Sequence, residues 1–246
     1  MKIAISQPTY LPWMGYFDLI DQVDLFVILD SVQFEKQSWQ QRNRIKTKTG
    51  LQWLTVPVKF RGKFGQQIRD VEIRDETFWR THVRAIELAY GRAPHFETYF
   101  PALSRLMQDR SGGRLMDLNV ALLRFLMHAF QVRTALVFAS DLAQDGKRTE
   151  LLAKICCAAG ATEYLSPLGS AEYLLAEEHI LRDCGIKVAF QHYEHPEYRQ
   201  LFPPFIPFAS AIDLLFNEGG RGSEIVRGGR RENYSGKQLI ATAQAG

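Results

Sequence analysis

Two short apolar runs with a helical segment between them open the chain, and they constrain its fold more than any other feature. The first run, Ile3–Ile5, stops at Ser6-Gln7-Pro8, and the second, Leu25–Leu29, stops at Asp30. Between them apolar residues recur with helical spacing after Pro12, a residue type favoured in a first helical turn. Strand, helix and strand predict a βαβ unit, which places polar loop residues at the carboxyl ends of its strands.

The rest of the chain extends this pattern. Residues 76–131 have helical periodicity, and residues 134–191 alternate strand, helix, strand, helix and strand. Such an order favours a parallel sheet with both faces covered. Around Gly50, the segments Arg44–Lys48 and Gln52–Val58 predict a β-hairpin. We therefore expect an α/β protein with a parallel, Rossmann-like sheet, a small β-hairpin insertion and a helical segment.

The length and composition favour one folded unit. Apolar residues make up 46% of the 246 residues, which is ample material for a core. We expect residues 1–220 to form a single α/β domain. The glycine- and arginine-rich residues 221–246 are expected to form a peripheral tail.

Charge and cysteine usage exclude several classes of protein. A net charge of +3 without a block of one sign does not favour nucleic-acid binding. No apolar run approaches the roughly 20 residues of a membrane span, and Gln7-Pro8 interrupts the start where a signal peptide would continue. Cys156, Cys157 and Cys184 lack metal-ligand spacing and cannot all pair, so we expect a reducing cytoplasm and no metal site.

Polar and aromatic side chains follow several of the predicted strands where each strand ends. Because the carboxyl ends of parallel strands meet at one edge of a sheet, where ligands bind, these residues are expected to line one pocket. They are Gln7, Tyr10, Trp13, Asp30, Gln33, Ser166, Gly169 and His195.

The segment before the hairpin adds a second group of candidate binding residues. Arg42 beside Asn43 suits a carboxylate or phosphate, since a guanidinium offers two parallel hydrogen bonds. Trp39, together with Trp13 and Tyr10, suits stacking on a sugar or an acyl chain. Trp39 and Trp53 also fit as core aromatics of the hairpin, and that is the interpretation we favour for Trp53.

Cys156, Cys157 and Ser166 are the candidate nucleophiles. A thiolate paired with an imidazole is an economical route to acyl transfer from a thioester. Both adjacent cysteines also lie in a helical pattern, where small buried residues belong. A purely structural role is therefore the alternative for each of them.

His195 is the preferred general base, with His192 as the other candidate. His195 follows a predicted strand, and Pro196 restricts the backbone beside it. Asp213 or Asp30 is expected to orient its imidazole. The alternative is that His195 only forms hydrogen bonds to the aromatic loop after it.

The chain resembles the WbqC-like protein family from residue 2 to about residue 220. The resemblance lies in these segments: Gln7–Phe17, Asp30–Phe34, Trp39, Arg42–Lys46, Gly50–Val58, Tyr164–Ser166, Gly169, His195-Pro196, Tyr198, Gln200, Ser210, Asp213 and Asn217. It adds Tyr198 to the expected substrate-binding residues. Two positions depart from the family pattern: Gln41 stands where asparagine is expected, and Pro167 stands where glycine is common. Both departures imply that the substrate differs from that of the family members that act in polysaccharide assembly.

The resemblance implies a transferase of polysaccharide or natural-product assembly, including aminoacyl transfer. We expect an acyl- or aminoacyl-transferase that uses no cofactor and acts on a small-molecule or carrier-bound acyl substrate. Release or cyclisation of a carrier-bound chain falls within this expectation, and an acyl or peptidyl carrier protein is a candidate partner. The alternatives are a nucleotide-utilising transferase or ligase, and a non-catalytic module that binds a carrier-linked intermediate.

Overall fold

A five-stranded parallel sheet forms the centre of the protein, as the computed structural model of residues 1–109 and 113–244 shows. Its strands run in the order β5–β2–β1–β6–β7, and all four neighbouring pairs are parallel. The strands are β1 (Lys2–Ser6), β2 (Leu25–Ile28), β5 (Ala135–Phe138), β6 (Glu163–Ser166) and β7 (Lys187–Phe190). The direction of the strand order reverses between β1 and β6, which is the point where ligands bind in open α/β sheets.

Helices cover both faces of this sheet, so the α/β expectation is confirmed. They are α1 (Met14–Asp21), α2 (Phe78–Tyr90), α3 (Phe96–Gln108), α4 (Leu115–Ala129), α5 (Arg148–Ala158), α6 (Ala171–Ala176), α7 (Glu178–Asp183), α8 (Ala211–Glu218), α9 (Gly222–Gly228) and α10 (Gly236–Gln244). The strands alternate between two cores. Ile3 and Ile5 pack with α5 and α7, whereas Ala4 packs with α1, α4 and α8. No described helix has the length and apolar composition needed to cross a membrane.

The predicted hairpin is present, with slightly earlier bounds. Strand β3 (Arg42–Thr47) pairs antiparallel with β4 (Gly50–Thr55), and Lys48 and Thr49 form the turn. Gly50 has a φ of 123°, which explains a glycine there. Ile45 and Leu54 point into the main core, so the hairpin is anchored on one face and open on the other.

The carboxyl-terminal segment packs into the fold, which differs from the expected peripheral tail. Val226 is buried, and Tyr234 exchanges two backbone hydrogen bonds with Phe190 at the edge of β7. Arg230 donates to the buried Asp18 of α1. Glycine and arginine content suggested a loose tail, but one of these arginines is the partner of a buried carboxylate.

Candidate active site

Three segments that are distant in the chain meet beyond the carboxyl end of β1. The backbone nitrogen of Tyr10 donates to the Trp39 carbonyl at 2.9 Å, and Trp13 forms an isolated bridge with Ser210. The nitrogen of Ser210 also donates to the Arg44 carbonyl at 2.8 Å. Trp13, the hairpin and the segment that precedes α8 are therefore neighbours.

Side-chain hydrogen bonds of Asn43 and Gln7 join the loop after β1 to the hairpin and the segment before it. The Asn43 amide, which is buried, donates to the carbonyls of Tyr10 and Leu11 at 3.1 and 2.8 Å. The Gln7 side-chain oxygen accepts from the Gln40 amide at 2.9 Å. Asn43 thus positions the loop after β1, whereas the expectation was that it contacts substrate.

His195 lies among aromatic rings at the centre of this region. Its ring is nearly parallel to Trp13, with centroids 6.1 Å apart, and parallel to Tyr198 at 6.3 Å. Phe208 meets it edge to face at 5.1 Å. These contacts bury much of the imidazole, and this burial lowers the pKa of His195. The side chain is therefore largely neutral at pH 7.

One hydrogen bond determines which nitrogen of His195 carries the proton. Nδ1 lies 2.9 Å from the Pro196 carbonyl, and a carbonyl can only accept. Nδ1 is therefore protonated, and Nε2 presents a lone pair. A neutral, oriented imidazole with a free acceptor nitrogen is suited to act as a general base.

Neither carboxylate that was expected to orient His195 does so. Asp30 accepts from the backbone and hydroxyl of Ser140, at 2.9 and 2.6 Å, at the ends of β2 and β5. Asp213 accepts from the Tyr198 hydroxyl at 2.6 Å and from the Gln200 amide at 2.9 Å. Burial raises the pKa of Asp213. Asp213 therefore acts on His195 only through the ring of Tyr198, which it positions.

The open face of the hairpin carries two tryptophans and two arginines. Trp39 and Trp53 are 47% and 44% exposed, with ring centroids 5.4 Å apart. The Arg42 guanidinium carbon lies 4.4 Å from the Trp53 ring centre, and that of Arg44 lies 5.5 and 5.4 Å from the two rings. The favoured interpretation of Trp53 as a core residue is wrong, because its position on β4 faces away from Leu54.

Arg44 is a site residue that the sequence reasoning missed. Its Nε is buried and has no hydrogen-bond partner among the described residues. The pattern that could have revealed it is the i, i+2 spacing of Arg42 and Arg44, which places both on one face of a strand.

Tyr10 lies in the core and not in the pocket. It is fully buried, and its hydroxyl lies 2.8 Å from Nδ1 of His82 on α2. Burial raises the pKa of the Tyr10 phenol. The expectation that Tyr10 binds substrate fails because the turn after β1 directs its ring inward, against the helical segment.

We call the cluster of Trp13, His195, Tyr198 and Phe208 the aromatic site. The candidate nucleophiles do not lie there. Cys156 is fully buried between α5 and the sheet, and burial raises its thiol pKa to about 12. Ser166 is also fully buried, and its hydroxyl donates to the Pro167 carbonyl at 3.2 Å. Cys157 is exposed on α5, and Cys184 is exposed directly after α7. None of these four residues is therefore placed for attack beside His195.

The remaining predicted residues, Gly169 and Gln33, follow β6 and β2 in the chain. Gly169 belongs to a short 3-10 turn, Leu168–Ser170, after β6. Gln33 is exposed, and its backbone bridges to Gln67. Across the described residues, no group of three His, Cys, Asp or Glu side chains has the arrangement of a metal site.

The pH dependence of stability is expected to follow His82. Burial lowers its pKa to about 4, so the unfolded chain binds more protons below pH 6.5 than the folded one does. Stability should therefore fall by on the order of 3 kcal/mol between pH 6.5 and pH 4 through this residue. Urea unfolding at several pH values, compared with the H82Q variant, measures it. H128Q changes an exposed histidine and should keep the wild-type slope; an unchanged slope in H82Q would contradict the assignment.

Gly15 keeps the ring of Trp13 in place. A methyl group at Gly15 would overlap the six-membered part of that indole, which lies across the first turn of α1. G15A should therefore displace the indole, alter the near-ultraviolet circular dichroism of the aromatic site and lower stability by about 1 to 3 kcal/mol. Gly220, where a methyl group meets open space, supplies the control G220A. An unaltered spectrum in G15A would show that the Trp13 ring does not lie against Gly15.

Comparison with known proteins places the chain in a family. The model of the WbqC-like protein family matches residues 7–225. A protein of Mycobacterium tuberculosis named Uncharacterized protein Rv1507c is 40% identical over 228 residues, which cover 92% of this chain and 97% of that protein. No solved structure matches the chain. Since the family model spans most of the chain, including every segment of the aromatic site, the chain belongs to the WbqC-like protein family.

Proposed function

We propose that this protein is an acyl- or aminoacyl-transferase in which His195 acts as the general base. The observation that carries the proposal is the state of the His195 imidazole. Its Nδ1 is committed to the Pro196 carbonyl, its Nε2 is available, and burial lowers its pKa. Such a base accepts a proton at pH 7 without first having to lose one.

The proposed reaction transfers an acyl group from a thioester directly to an acceptor. The acceptor amine or hydroxyl attacks the acyl carbon and gives its proton to Nε2 of His195. The carbon–sulfur bond breaks, and the leaving thiolate takes that proton from the imidazolium. Direct transfer fits the structure because Cys156 and Ser166 are fully buried and Cys157 lies on a helix behind the sheet.

The acceptor is proposed to bind on the open face of the hairpin. Exposed indole rings stack on sugars or other flat groups, and the guanidinium groups of Arg42 and Arg44 favour a carboxylate. The unpartnered Nε of Arg44 offers a donor that a bound carboxylate would satisfy. An amino acid or an acidic sugar is therefore the proposed acceptor class, with the reaction placed in the cytoplasm.

The test supplies the purified protein with acetyl-coenzyme A and a panel of amino acids and amino sugars. Thiol release that depends on the acceptor, together with a product heavier by one acetyl group, supports the proposal. Intact-protein mass spectrometry during turnover should show unmodified enzyme. A trapped acetyl group on a cysteine or serine would contradict direct transfer, and no turnover across a panel of acyl thioesters would contradict the transferase.

A further inference from the structure

A concave surface lies at the far end of the hairpin from the aromatic site. It is a cleft of about 750 Å³ between the β3–β4 turn and α2, closed on one side by Phe202. Its lining combines cations, hydroxyl groups and apolar side chains: Thr47, Lys48, Thr49, Gln52, Arg80, Thr81, Arg84, Ala85, Leu88, Ala89, Arg92 and Phe202. The volume lies in the range of small-molecule sites.

The charge of the cleft is of one sign. Lys48, Arg80, Arg84 and Arg92 line it, and none of the lining residues, all of which the structure describes, is acidic. Glu87, which lies outside the lining, accepts from Arg84 at 2.6 Å. Glu87 offsets one of the four positive charges, so the cleft keeps an excess of positive charge.

The two helix arginines place like charges on one face of the cleft. Arg80 and Arg84 lie four residues apart on α2, where like charges destabilise a helix. Their spacing along the axis, about 6 Å, suits two neighbouring anionic groups. Glu87 already offsets part of the charge of Arg84, and the Arg80 guanidinium lies 5.5 Å from the ring centre of Trp79. A ligand with adjacent phosphates would supply an anion to Arg80 and to the remaining donors of Arg84.

The apolar part of the cleft indicates that the ligand is more than an anion. Leu88 is 68% exposed, one turn beyond Arg84. The Arg92 guanidinium lies 5.8 Å from the ring centre of Phe202. A ligand that carries phosphates beside a flat or apolar group would cover both side chains.

The cleft is physically linked to the aromatic site. Phe202 lies in the same segment as His195 and Tyr198, and its carbonyl accepts from the buried Lys46 amine at 3.0 Å. Thr47 at the cleft is three residues from Arg44 along β3, a distance of about 10 Å. A long, flexible ligand held by its phosphates in the cleft can therefore extend towards His195.

We infer that the cleft binds the phosphate groups of the acyl donor, a phosphopantetheine thioester. The identity of the donor rests on the proposed function, whereas the preference for phosphates rests on the cleft alone. The same arm occurs in coenzyme A and on carrier proteins. Coenzyme A presents two adjacent phosphates to Arg80 and Arg84, whereas the carrier-bound arm presents one phosphodiester. In both cases the thioester lies at His195.

Binding by titration calorimetry tests this inference without turnover. Coenzyme A should bind at least tenfold more tightly than pantetheine, which has the same thiol arm without phosphate. The R80Q/R84Q variant should lose at least tenfold in affinity for coenzyme A, whereas R61Q/R105Q, which removes two exposed arginines elsewhere, should not. Circular dichroism shows whether each variant is folded.

The outcomes separate the two sources of the arm and the two proposals. Tighter binding of coenzyme A than of 4′-phosphopantetheine supports the free thioester, and equal binding of these two supports a carrier-bound arm. Equal binding of pantetheine and coenzyme A, or an unchanged affinity in R80Q/R84Q, overturns the inference. Because these affinities do not depend on His195, they can fail while the transferase proposal stands, and the reverse also holds.

Discussion

Replacement of His195 by asparagine is expected to lower turnover by about 10²- to 10⁴-fold, the range that a general base contributes. Asparagine keeps a polar group that can donate to the Pro196 carbonyl, as Nδ1 of the imidazole does. It removes the lone pair of Nε2, which accepts the acceptor's proton in the proposed reaction. The loss should therefore fall mainly on kcat, with a small change in KM for the thioester.

The matched control is H128N, which changes an exposed histidine at the end of α4. It should turn over within twofold of the wild type. Thermal unfolding of H195N should remain cooperative, because the ring sits at the rim of the core. If H195N kept more than a third of wild-type kcat while remaining folded, His195 would not be the base.

Replacement of Arg230 by methionine is expected to destabilise the protein by about 2 to 4 kcal/mol, allowing for partial solvent exposure of the arginine. Asp18 on α1 is fully buried, and its Oδ1 accepts from Arg230 Nε at 2.8 Å. Its Oδ2 accepts from the amides of Gln22 and Gln191, both at 2.7 Å. Methionine keeps the apolar stem but leaves a buried carboxylate without its cation.

The control for this prediction is R221M. Arg221 is mostly exposed and lies 3.5 Å from Glu218, so its loss should cost no more than about 1 kcal/mol. Urea unfolding of both variants gives the comparison. Equal stabilities of R230M and R221M would show that the carboxyl-terminal segment contributes little, as a peripheral tail would.

The parallel sheet could be predicted because each strand is a short apolar run that ends in polar residues. Strands buried on both faces have this pattern, and the helical segments between them give the crossover connections. The carboxyl-terminal segment could not be predicted in the same way. Its arginines have no apolar periodicity, and the burial of Asp18, which requires Arg230, depends on the tertiary structure.

The sequence predicted that several residues of the site lie close together, but not the direction of every side chain. Trp13 and His195 follow strands, and parallel topology brings strand ends together, so their proximity follows from the fold. Tyr10 also follows a strand, but the direction of its side chain depends on the backbone of one turn. Leu11 beside it has a φ of 45°, a conformation that nothing in the residue types around it indicates.

The nucleophiles illustrate a second limit. Residue type makes Cys156 and Ser166 chemically suitable, but burial decides whether they can react. Both are fully buried, and the helical pattern around Cys156 was the correct indication. Trp53 shows the opposite case, since a large aromatic in a strand is exposed where the open face of a hairpin holds it beside arginines.

The pH dependence of kcat/KM with an alcohol acceptor tests the central claim most directly, because an alcohol does not titrate near neutrality. The free enzyme should show one ionisation below pH 6.5, the ordinary value for histidine, since burial lowers the pKa of His195. Activity should rise with pH through that ionisation and be constant at pH 7 to 8, and H195N should lack this step. A step above pH 6.5, or a step that persists in H195N, would contradict the assignment of His195 as the base.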